Sequence, residues 1–169
     1  KYRKHVRDGL NFLLRNCPLS GQNAGKFTGA GTMFAQGIGA LALCEAYGMT
    51  KDRGMLLAGA QASINFIQRS QGVNGSWGYR PGTVGDTSIV GWQLQALQAA
   101  LLSKDIVVDK RVINKAVEFL EFAGAGSQKD KYGYRDSSNA APGTSLTALG
   151  LLCRYYNGWE PTRSGYSLG

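Results

Sequence analysis

A short pattern repeated at an almost constant interval constrains this chain more than any other feature. Leu10-Asn11-Phe12-Leu13, Ile64-Asn65-Phe66-Ile67 and Val117-Glu118-Phe119-Leu120 each read apolar, polar, Phe, apolar, and their phenylalanines stand 54 and 53 residues apart. A period of that size points to stacked repeats, where one unit cannot bury its apolar face alone and relies on its neighbours. After each copy comes a Gly-rich loop with an aromatic at its centre: Gly25-Lys26-Phe27, then Gly75-Ser76-Trp77-Gly78-Tyr79, then Tyr132-Gly133-Tyr134. Arg80 and Arg135 follow in the last two. A small-residue turn comes next, Gly31-Thr32, Asp86-Thr87-Ser88 and Gly143-Thr144-Ser145, and opens a second helical run. The predicted unit is helix, aromatic elbow, helix. Three such units, over about 1–49, 50–104 and 105–158, make one domain of 169 residues with a tail over 159–169.

The two helices of a unit differ in pattern. Over 109–122, Val112, Ile113, Ala116, Val117, Phe119 and Leu120 share a face opposite Arg111, Lys115, Glu118 and Glu121, as a one-sided surface helix requires. Over 87–102, Val90, Leu94, Leu97 and Leu101 form one stripe while Trp92, Ala96 and Ala99 occupy the other side. A helix apolar on two faces needs cover on both. The runs 33–47 (Ile38, Ala40, Leu41, Leu43, Cys44, Tyr47) and 144–156 (Leu146, Ala148, Leu149, Leu151, Leu152, Cys153) read alike. Alternating outer and inner helices predict an all-α chain, an α/α toroid or an α-solenoid. Strands are expected only as a short ribbon in an elbow, and 123–142 is expected to be the most mobile loop.

Charge and cysteine usage narrow the options. The formal net charge is +8, and the first fifteen residues carry Lys1, Arg3, Lys4, Arg7 and Arg15 against Asp8. Such a cluster attracts anions, but no nucleic-acid-binding motif accompanies it, and solvated outer-helix charge is the simplest account. Cys17, Cys44 and Cys153 are odd in number and far apart, so they read as free, buried thiols and not as a disulfide framework. No apolar run approaches the roughly 18 residues needed to span a bilayer, and no signal peptide is visible. The chain begins at Lys1 without Met, which leaves its natural start and its compartment open.

Gln71-x-x-x-Gly75-x-Trp77, at the end of an outer helix, resembles the QW motif of the prenyltransferase and squalene-cyclase repeat family. The resemblance covers nearly the whole chain and is best in the second unit. It is nearest to bacterial squalene-cyclase-like repeat proteins, whose units run GxWGYxPG, DTS, GWQLxAL and GLLCRxYxGW, the last as in Gly150-Leu151-Leu152-Cys153-Arg154-Tyr155-Tyr156-Asn157-Gly158-Trp159. The resemblance implies a toroid of six hairpins, of which this chain supplies three. Further repeats in a parent chain, with the tail as their lead-in, or a homodimer would complete the ring.

The resemblance also implies candidate chemistry. In cyclases of the family an acidic turn protonates an isoprenoid alkene, and Asp86-Thr87-Ser88 occupies that place in the second unit. Asp86 is equally placed to cap the helix that begins at Thr87. Gly31 and Gly143 stand near the equivalent place, so the fold does not require the acid. Trp77, Tyr79 and Tyr134 in the elbows, with Phe34, Trp92 and Tyr155 on inner helices, are candidate contacts for an apolar or isoprenoid ligand, although aromatics at helical spacing also build cores. A zinc site of the prenyltransferase type needs converging Asp, Cys and His ligands. His5 is the only histidine and precedes the first repeat, so no metal or cofactor is expected. Cys17-Pro18-Leu19-Ser20-Gly21-Gln22 lacks the spacing of the Cys–Gln thioester found in complement-type toroids. Two functions remain: a domain that binds an apolar ligand or a protein partner, and half of a terpenoid cyclase using Asp86 as its acid.

Overall fold

The computed structural model describes residues 1–29 and 31–160. The tail's suggested role as a lead-in to another unit lies outside the described residues, apart from Trp159 and Glu160. The fold is all-α, with helices α1 (Arg3–Arg15), α2 (Met33–Thr50), α3 (Leu57–Arg69), α4 (Thr87–Ser103), α5 (Lys110–Ala123) and α6 (Ser145–Tyr156). The strands β1 (Gly124–Ala125) and β2 (Lys131–Tyr132) pair antiparallel, Gly124 opposite Tyr132. This ribbon falls in the segment expected to be the most mobile loop, and that segment buries Asp130 and Tyr132. No described helix is long and apolar enough to cross a membrane.

Helices α2 and α4 hold the centre. The first packs against α3 and α4, the second against α5 and α6. Ala40, Leu43, Cys44 and Tyr47 of α2, with Ile89, Val90, Leu94, Ala96 and Leu97 of α4, are buried. Cover fails at the two ends of the row. On α6, expected to be enclosed on both sides, Leu146, Leu149 and Leu152 are only half-buried and Ala148 is exposed. On α2, Ile38 is 40% exposed, and α1 contributes no buried residue. Among the described residues no helix precedes α1 or follows α6, and a repeat is covered only by its neighbours.

The same contacts tie one hairpin to the next at both junctions. The first amide of α2, Met33 N, donates to the carbonyl of Tyr79 (3.0 Å), and the first amide of α4, Thr87 N, donates to the carbonyl of Tyr134 (2.8 Å). Helices α2 and α4 therefore each have an orphan N-terminal donor satisfied by the following elbow. Close backbone approach forms the second tie: a Cβ on Gly25 would stand 1.8 Å from the Ala62 carbonyl oxygen, and one on Gly75 would stand 2.0 Å from that of Lys115. The third tie joins the end of one outer helix to the start of the next. Gln71 Nε2 donates to Val112 O (2.8 Å) and to Gly75 O (2.9 Å), while Cys17 Sγ makes the corresponding contact to Gly59 O (3.7 Å). Trp77 caps its own helix, donating its indole N–H to Ile67 O (2.8 Å).

Candidate functional site

Asp86 sits where the second elbow turns into α4. Its backbone is extended (φ −143°), which aims the side chain back along the first turn, and Oδ1 accepts from Ser88 N (3.0 Å) and Ile89 N (3.2 Å). The Ser88 hydroxyl also donates to that oxygen. Asp86 is only 1% exposed. The third elbow reaches it because Thr87 N and Thr87 Oγ1 hold the carbonyls of Tyr134 and Gly133, the latter at 2.7 Å. Tyr134 thus meets Tyr79 and Asp86 although the three residues lie in different repeats or at opposite ends of one elbow. Hydrogen bonding with Tyr79, and then with Asp86, raises the Tyr134 hydroxyl well above the ordinary phenol range. Both tyrosines keep an exposed face, 52% for Tyr79 and 38% for Tyr134. Trp77, by contrast, lies wholly inside the protein.

The remaining candidates fall on the inner helices. Phe34 and Trp92 form an edge-to-face pair with centroids 5.9 Å apart and planes at 64°, a geometry that ring quadrupoles favour. Tyr155 is half-exposed near the end of α6, with its ring 6.1 Å from that of Tyr156. Towards the C-terminal ends of α2 and α4 lies a groove of about 410 Å³, with Leu41, Cys44, Met49, Ala99, Leu102 and Tyr156 among its walls. Met49 and Leu102 are 81% and 77% exposed, unusual for side chains of that size on helices that otherwise build a core. Glu45, Gln95 and Gln98 also line the groove. Burial, with Glu45 adding to it, pushes the Cys44 thiol up to about 12, so this sulfur is a wall and not a nucleophile.

Among the described residues, Asp86 lines neither this groove nor any of four other cavities beside the helices. One of about 460 Å³ lies against α1 and α2, walled by Phe12, Leu13, Phe27, Ala35 and Ile38. It marks the uncovered end of the row. Among the described residues, no group of three or more His, Cys, Asp or Glu side chains is placed to hold a metal ion.

The structure therefore brings Asp86, Tyr79 and Tyr134 together and pairs Phe34 with Trp92, while Trp77 is enclosed in the core and Tyr155 lies beside Tyr156. Sequence reasoning missed Met49 and Leu102. Their signal was the apolar excess on the inner helices, which reads as core until the neighbours are in place. Compared with models of protein families, with curated proteins and with solved structures, the chain matches none.

Proposed function

We propose that the chain is a squalene-cyclase-like repeat domain, its hairpins arranged as part of an α/α toroid, which binds an apolar ligand along the inner helices. The observation that carries this reading is the groove between α2 and α4, about 410 Å³ in volume and flanked by the exposed Met49 and Leu102. That volume lies in the range of small-molecule sites, and covering such side chains stabilises a complex by roughly 1.5–3 kcal/mol each when burial is complete. The repeated elbow ties and the alternation of one-sided with two-sided helices support the toroid. The cyclase alternative has weaker support. Asp86 Oδ1 is committed to the first turn of α4, and an alkene needs a dry cavity beside the acid. Calorimetric titration with farnesol tests the proposal. Saturable binding is expected, weakened at least tenfold by Leu102→Asp. Binding that survives both Leu102→Asp and Met49→Asp refutes it.

A further inference from the structure

The polar lining of this groove restricts its ligand, if the groove is the binding site proposed above. Gln95 donates Nε2 to the Gly91 carbonyl (3.2 Å), which leaves its Oε1 as an acceptor beside one remaining N–H. Gln98 donates Nε2 to Asn157 Oδ1 (3.2 Å), and Asn157 in turn donates Nδ2 to the Cys153 carbonyl (2.7 Å). Because a backbone carbonyl only accepts, these chains fix both amide orientations without ambiguity. Ser103 is engaged on both sides, donating to Ala100 O (2.6 Å) and accepting from Ile106 N (3.3 Å). Glu45 adds two acceptor oxygens and makes no ion pair among the described residues. The donors left in the groove are all neutral: one N–H of each glutamine amide, the Tyr156 hydroxyl and the buried Cys44 thiol. Among the described residues no Lys or Arg lines the groove, although the chain carries 19 of them.

From this arrangement we infer that the groove selects an apolar molecule bearing a protonated amine, and that it discriminates against carboxylates and phosphates. An ammonium group supplies three donors to a wall of acceptors, and its charge complements Glu45. A carboxylate or phosphate would set its charge against Glu45 with no lining cation to offset it, and would leave the Gln95 and Gln98 oxygens unpaired. The net charge of +8 favours anions over the rest of the surface. Preference for an amine would therefore report the groove and not the protein's general field.

The test is calorimetry on the full chain with decylamine, decanol and decanoate, each below its micellar concentration. Decylamine is expected to bind at least tenfold more tightly than decanoate. Glu45→Gln should weaken decylamine on the order of tenfold, as loss of a charge-assisted hydrogen bond does, while changing decanol by less than about threefold. Decanoate binding as tightly as decylamine, or decylamine binding unaltered by Glu45→Gln, overturns the inference. The decanol arm isolates the underlying reading: if decanol fails to bind, or binds equally to Leu102→Asp, the groove is not the apolar site.

Discussion

Removing the Asp86 side chain measures what that carboxylate does. In Asp86→Ala, α4 loses the acceptor for Ser88 N and Ile89 N, and helix caps of this kind contribute about 1 kcal/mol, within a range of roughly 0.5–2. The Ser88 and Tyr134 hydroxyls lose a partner as well. Tyr134 is 38% exposed, so water replaces much of that bond and adds no more than about 0.5 kcal/mol. The expected total is about 1.5 kcal/mol. With a urea dependence of about 2 kcal/mol per molar, the midpoint should fall by roughly 0.7 M.

Asp86→Asn discriminates between a cap and an acid. Asparagine caps nearly as well as aspartate, so its midpoint should stay within about 0.25 M of the parent. Urea unfolding followed by far-UV circular dichroism reads both variants. If Asn costs as much as Ala, or if Ala costs nothing, the cap argument fails. Turnover of an isoprenoid alkene by the parent chain, abolished in Asp86→Asn at unchanged midpoint, would install the cyclase in place of the binding domain.

Two further perturbations test the framework around the site. Gly75→Ala should destabilise by about 3 kcal/mol or more, because the backbone has φ +84° and the new Cβ would lie 2.0 Å from Lys115 O, combining left-handed strain with a backbone clash. Gly82→Ala, with φ +74° but open space around it, should cost only about 1–2 kcal/mol; equal losses in urea melts would refute the close-approach account. Asp105 supplies a pH dependence. The Tyr47 hydroxyl, at the margin of hydrogen-bonding geometry, holds its carboxyl below the usual carboxylate range, with Lys51 (3.2 Å) and then Arg53 adding to the effect. A depressed folded-state value contributes stability above the unfolded value, near pH 4, and loses it as pH falls towards the folded one. Asp105→Asn should flatten that part of the stability curve below about pH 4, and an unchanged acid limb in thermal melts would exclude Asp105 as a source.

What the sequence made legible, and what it hid, follows from how each signal is generated. The bounds of α4 and α5 were readable because periodicity and capping act within one helix: Asp86 and Asp109 accept from the first-turn amides of the helices they precede. The roles of Gln71 and Trp77 were only half readable. Residue type suggests a donor for a helix end, but not which carbonyl receives it. Trp77 serves Ile67 of its own helix, whereas Gln71 reaches across to Val112. The corresponding tie through Cys17 and Gly59 carries no signature, because a thiol replaces an amide at that place. The meeting of Tyr79, Tyr134 and Asp86 was hidden for a different reason, since it depends on one repeat's elbow folding back over the inner helix of the repeat before it.

The groove is the most instructive omission. On α2 and α4 an apolar residue at helical spacing looks the same whether a neighbouring helix covers it or nothing does. Leu97 and Leu102 both belong to the apolar run of α4, yet one is fully buried and the other 77% exposed. Hydrophobic pattern records what a side chain prefers, and only stacking decides which preferences are met. On a repeat scaffold, the inner-helix residues left unmet after stacking are therefore where a ligand gains most by binding. Here the most exposed of them are Met49 and Leu102, which lie outside the conspicuous aromatics of the elbow.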